Sequence, residues 1–96
     1  MDKKIPKNVL LIGKKPFMNY VNAAQYQLKN NKEIIICARG KTILKAVDIA
    51  EVLEKKFMKG EIEKVEITNN SELFDSRKNE GKKVTVSTIK IILKRN

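Results

Sequence analysis

The segment Leu11-Ile12-Gly13-Lys14-Lys15-Pro16-Phe17 joins an apolar run to an amphipathic one, and two lysines sit in the joint. Gly13 breaks the first run, and Pro16 has the fixed φ that suits the first position of a helix. The first turn of a helix leaves N–H groups unpaired and carries partial positive charge, so it attracts anions. Lys14 and Lys15 add two full charges to the same spot. Phosphate contact is the chemistry this predicts; a solvated loop that holds lysine by chance is the alternative. Arg39-Gly40-Lys41-Thr42 repeats the design between a second apolar run and a second helical stripe.

Other candidates are less specific. Arg77, Lys78, Lys82 and Lys83 surround Gly81 and form a second basic group, although Glu72, Asp75 and Glu80 leave a plain solvated loop as a competitor. Tyr20, one turn into the first helix, could stack on a base or sugar, or pack in the core. Catalysis is not expected. The chain has no histidine, which removes the commonest general base near neutral pH. No Cys, His or carboxylate set has metal-ligand spacing, so neither metal nor cofactor is expected. Asp48, Glu51 and Glu54, beside lysines, read as a solvated helix face. Gly40-Lys41-Thr42 matches the end of a phosphate-binding P-loop, but the first glycine of that motif would fall at Ile35.

With 21 Lys+Arg against 11 Asp+Glu in 96 residues, the net charge of +10 points to an anionic partner, nucleic acid or a membrane surface. The charge is unevenly spread. Residues 1–48 hold ten basic and three acidic side chains, and no carboxylate side chain falls between Lys3 and Lys32. The lone Cys37, flanked by Ile36 and Ala38, reads as a buried strand residue in a reducing compartment. The opening residues lack the apolar core of a signal peptide, and no run approaches the ~20 apolar residues of a membrane span. A soluble intracellular protein with no membrane partner is therefore expected.

These residues must be positioned by the elements around them. Residues 1–7 read as a charged, loose segment and residues 8–12 as a strand. Phe17, Val21, Ala24 and Leu28 form one helical stripe that ends at Asn30-Asn31. Residues 34–38 are β-branched and too few for a helix, hence a second buried strand. The second helix is predicted over 42–56, with Ile43, Val47, Ala50, Leu53 and Phe57 on its stripe and Glu51–Lys55 as an i,i+4 pair on its wet side. Ile49 and Val52 widen that apolar face, for a generous core or for contact with another subunit; Phe57 is the residue expected to be exposed for such contact. A strand over 61–68 should turn Val65 and Ile67 inward, with Ile62 out of phase because of a bulge or a late start. Residues 69–81 are polar and turn-rich. Residues 84–93 form the last and longest strand, whose apolar phase shifts from Val84 and Val86 to Ile89, Ile91 and Leu93, as for a hairpin that leaves the sheet. The order predicts an α+β fold: a βαβαββ two-layer sandwich with a mixed four-stranded sheet, two helices on one face and a projecting β-hairpin between the last two strands. If the first two strands are parallel neighbours, right-handed crossovers bring both basic junctions to one edge.

The residues 9–16, followed by Met18-Asn19-Tyr20-Val21, resemble the opening of the Alba family, small basic chromatin proteins of archaea. Ala38-Arg39-Gly40-Lys41, Lys45-Ala46-Val47-Asp48 and Val86-Ser87-Thr88-Ile89 continue the resemblance over residues 7–94. It implies that residues 1–96 form a single domain, a homodimer that binds double-stranded DNA and RNA with little sequence preference and assembles further on DNA. Its expected place is the cytoplasm, on the chromosome, helping to organise and compact chromatin; an RNA-binding subunit or RNA chaperone of a ribonucleoprotein is the alternative. By position, Lys14 and Lys15 match the family's loop lysines, Arg39 its second-loop arginine, Lys41 a place often basic, Tyr20 a tyrosine linked to RNA contact, and Phe57 an aromatic used between neighbouring dimers. Lys14 is a candidate for acetylation, which would remove one charge. The lysine-rich hairpin, with Glu80 near its tip, departs from the family pattern.

Overall fold

A computed structural model describes residues 8–75 and 81–96 of the chain. Its elements run β1 (Val9–Leu11), α1 (Phe17–Asn30), β2 (Glu33–Arg39), α2 (Ile43–Val52), β3 (Ile62–Asp75) and β4 (Lys83–Arg95). A 3-10 turn, Gly40–Thr42, leads into α2, and a π turn, Leu53–Phe57, prolongs it. The sheet order is β1-β2-β4-β3. β1 runs parallel to β2, while β4 is antiparallel to both β2 and β3. This is the α+β, βαβαββ arrangement that the sequence predicts.

Alternation in the strands decides which sheet face is covered. Ile34, Ile36 and Ala38 of β2 stand opposite Leu93, Ile91 and Ile89 of β4, so all six share one face, and all are buried. Val21, Ala24 and Leu28 of α1 and Ala46, Ile49, Ala50 of α2 complete that core with Leu53 of the π turn. The other face carries Leu11, Ile35, Cys37 and Ile92, all at least partly accessible. Burying a side chain such as Leu28 or Ile91 contributes about 1.5–3 kcal/mol, so this one layer carries most of the apolar stabilisation.

Helix two departs from the predicted stripe. Ile43 and Val47 are only partly buried, whereas Ile49 is inaccessible and belongs to the core. The helix packs on β2, β4 and α1 together, so it buries a face wider than one stripe. Phe57 is exposed, as the sequence leads one to expect, and the π turn is the reason. In the π turn the Met58 N–H donates to the Leu53 carbonyl, 2.8 Å away. The extra residue in that turn puts Met58, rather than Phe57, below Leu53. Met58 is 5% exposed and Phe57 45%.

Strand β3 also differs from expectation. The bulge is present, as a register shift between Lys64 and Glu66. Its consequence is reversed: Ile62 is buried, and Val65 and Ile67 are the exposed residues. Ile62 and Lys64 precede the shift and face the helices; beyond it the edge strand runs out from under them. Lys64 is held there by helix-two carboxylates, bonding to Glu51 and lying 3.8 Å from Glu54, while Glu51 also keeps its pair with Lys55 at 3.1 Å. The strand then continues through polar residues to Asp75, which makes it longer than β4. Pairing partners, rather than apolar content, extend it.

The structure makes two tests available. Ile62→Ala should cost about 2–5 kcal/mol in chemical denaturation, and Val65→Ala less than about 1 kcal/mol; equal costs would contradict the observed register. Hydrogen bonds from Lys64 and then Lys55 hold the Glu51 carboxyl below its ordinary pKa. A depressed carboxylate stabilises the fold above the ordinary carboxylate range, and that contribution is lost as pH falls through its lowered value. Glu51→Gln should therefore flatten the acid limb of a stability–pH profile, and an unchanged limb would refute the pairing.

Candidate nucleic-acid interface

The pairing of β1 with β2 sets the site. Leu11 lies beside Cys37, and the Ile12 N–H donates to the Cys37 carbonyl at 2.9 Å. The chain leaves β1 at Ile12 beside Cys37, two residues before β2 ends at Arg39, with the strands spaced about 4.8 Å. Both strands end there and both following helices begin there. Lys14, Lys15, Arg39 and Lys41 are all exposed along this rim.

Each junction has its own local cause. Pro16 takes the capping position of α1 (φ −57°, ψ 148°) rather than the first helical position, and Phe17 opens the helix. No side chain caps α1, and its first turn holds no acid, so its positive end faces the rim uncompensated. In the second junction the Thr42 hydroxyl accepts from the Arg39 N–H at 3.3 Å and donates to the Arg39 carbonyl at 2.9 Å. Gly40 sits at φ +58°, a left-handed conformation that closes this turn and that side chains disfavour.

The hairpin rises from the same edge. Arg39, the last residue of β2, pairs with Thr88 of β4. Because β4 is antiparallel to β2, its residues before Thr88 extend past the rim, paired only with β3 from Ser71 to Asp75. A Cβ on Gly40 would lie 3.9 Å from the Val86 side chain, where the arm leaves the body. At about 3.4 Å per residue, Lys83 stands about 17 Å beyond Thr88. Lys82 and Lys83 are exposed on this arm, next to Gly81 at φ +82°. Arg77, Lys78 and Glu80 lie outside the described residues.

Of the two places expected for Tyr20, the structure gives it the core. The residue is 7% exposed, too buried to offer a face for a base. Its hydroxyl accepts from the Gly13 N–H at 2.8 Å and the Lys15 N–H at 3.1 Å. Lys45, not singled out by the sequence, donates from Nζ to the carbonyls of Gly13 at 2.9 Å and Lys15 at 3.0 Å. One signal could have found it: a lysine in the first turns of a helix opposes the helix dipole, so it needs a specific partner. Phe57 lies at the far end of the second helix, away from the rim. On the uncovered sheet face, a shallow groove of about 640 Å³ runs to the rim between Leu11, Cys37, Arg39 and Lys90. Burial pushes the Cys37 thiol up, with Lys90 opposing, so it is not an activated nucleophile.

An open rim of cations and helix N-termini, with a basic arm above it, is suited to holding a polyanion by several phosphates at once. Comparison with known proteins agrees with the architecture. The family model described as Alba matches residues 8–71. The chain belongs to the Alba family. It is 46% identical over 90 residues to the DNA/RNA-binding protein Alba of Methanocella arvoryzae, covering 92% of this chain and 90% of that one. It is 45% identical over 91 residues to the protein of the same name from Picrophilus torridus, covering 93% and 97%. The solved structure of Alba from Thermoplasma volcanium superimposes with a TM-score of 0.80 at 44% identity, over 92% of this chain and 100% of that one. ALBA1 from Trypanosoma brucei shares the fold, with a TM-score of 0.75 at 20% identity over 96% and 72%.

Proposed function

We propose that this Alba-family chain binds double-stranded DNA, and RNA, with little sequence preference, and that it acts as a homodimer that helps to organise and compact chromatin. The observation that carries this reading is the meeting of two basic junctions at one rim from which the hairpin also rises. In this reading Lys14, Lys15, Arg39 and Lys41 sit over the phosphate backbone, and the arm, with Lys82 and Lys83, reaches into a flanking minor groove. Residues 1–96 act as one binding domain, associated with the chromosome in the cytoplasm. The function is binding rather than catalysis. Burial of Tyr20 favours a duplex backbone over the stacked single strands of a ribonucleoprotein subunit, because base stacking needs an accessible ring.

The dimer is supported by apolar side chains that the protomer leaves uncovered. Leu44, Ile67 and Leu73 are each more than half exposed, and a second copy would shield such residues from water. Phe57, exposed by the π turn, would serve contact between dimers on DNA.

Binding dominated by about six phosphates gives a slope of log K against log salt near −5 on duplexes of unrelated sequence. Acetylating Lys14 should reduce that slope by about one, and Lys14→Ala/Lys15→Ala by about two. A flat salt response, or loss on one sequence alone, would overturn the mechanism. Sedimentation equilibrium should return twice the 11.0 kDa chain mass; a monomer at micromolar concentration would overturn the dimer.

A further inference from the structure

Gly13 and Lys15 are gripped twice, once from each helix. Tyr20 of α1 accepts both of their N–H groups, which uses the two lone pairs of its hydroxyl oxygen. Lys45 of α2 donates to both of their carbonyls. The Lys45 ammonium also stands 5.5 Å from the centre of the Tyr20 ring, on whose face a cation is stabilised. Gly13 permits the close approach, since a Cβ there would meet the tyrosine oxygen at 3.3 Å. The backbone polar groups of Gly13 and Lys15, which a surface loop ordinarily gives to water, are thus satisfied by two side chains.

The placement of Lys45 is electrostatically adverse. It sits at the positive end of a helix beside Lys14 and Lys15. Two carbonyls and a ring face offset that cost, and they occupy two of its three donors. The loop it holds carries two exposed lysines.

We propose that Tyr20 and Lys45 are positioning residues, a clasp that fixes residues 13–15 so that Lys14 and Lys15 meet adjacent phosphates without first being ordered. This rests on the nucleic-acid reading above, and it gives Tyr20 a role through the loop in place of contact with a base. Ordering the loop before binding removes an entropic cost from association.

The test uses the full chain with Tyr20→Phe, Lys45→Met and Lys45→Arg, each checked for its thermal transition. Without nucleic acid, amide hydrogen exchange at Gly13 and Lys15 should accelerate in Tyr20→Phe and Lys45→Met. With a random-sequence duplex, Tyr20→Phe, which alters no charge, should weaken binding about three- to tenfold with an unchanged salt slope. In a Lys14→Ala/Lys15→Ala background the same change should have no further effect, and Lys45→Arg should retain most of the affinity. Equal losses in both backgrounds would make the clasp a general structural feature and overturn the proposal. So would a silent Tyr20→Phe together with a slope reduced by about one in Lys45→Met, which would make Lys45 a phosphate contact. Unchanged exchange in both variants would show that no clasp forms. If the unmodified chain fails to bind the duplex, the nucleic-acid reading fails, while the exchange rates still report on the clasp.

Discussion

Parallel pairing of β1 with β2 is the constraint on which the rest of the molecule depends. Parallel neighbours must be joined by a crossover, and right-handed crossovers put α1 and α2 on one face. The same pairing makes both strands end at one edge, where both helices start. Three residues of β1 suffice because the ladder is lengthened by bonds from Ile12 to Cys37 and from Ile35 to Asn8. Charge that is separate in the chain becomes one rim without any direct attraction between like-charged side chains. Their mutual repulsion is tolerated because the core, with Leu28, Ile36, Ile49 and Ile91 inaccessible, fixes the strands underneath.

The antiparallel placement of β4 against β2 is the second determinant. It aims the hairpin past the same edge and away from the opposite one. The apolar phase shift in β4 follows from this: Ile89, Ile91 and Leu93 lie under the helices, whereas Val84 belongs to the arm and stays 44% exposed. Beyond the cover of the helices there is no core face for its side chains to choose.

Smaller devices place individual residues. One extra residue in the π turn turns Phe57 out and Met58 in. Ahead of the bulge in β3, Lys64 shares the helix-facing side with Ile62, where Glu51 and Glu54 pair with it and remove it from the cations available at the surface. A tyrosine and a lysine hold the loop between β1 and α1 by its backbone, which leaves its lysine side chains outside.

The sequence by itself determined the order of elements, the stripe of Val21, Ala24 and Leu28, the projecting hairpin and the two basic junctions. Each is a local signal, written in periodicity, glycine, proline and charge over a few neighbouring residues. Tertiary structure decided the face shown by Ile62, Val65 and Ile67, the use of Ile49 in the core, and the choice for Tyr20 between a stacking surface and the core, where its hydroxyl accepts from loop amides. It also decided the part played by Lys45, whose partners lie 30 and 32 residues away in the chain. Such outcomes depend on where a neighbouring element stops covering the sheet and on a single-residue shift in register. No periodicity within one segment encodes either, because both belong to the fit between segments.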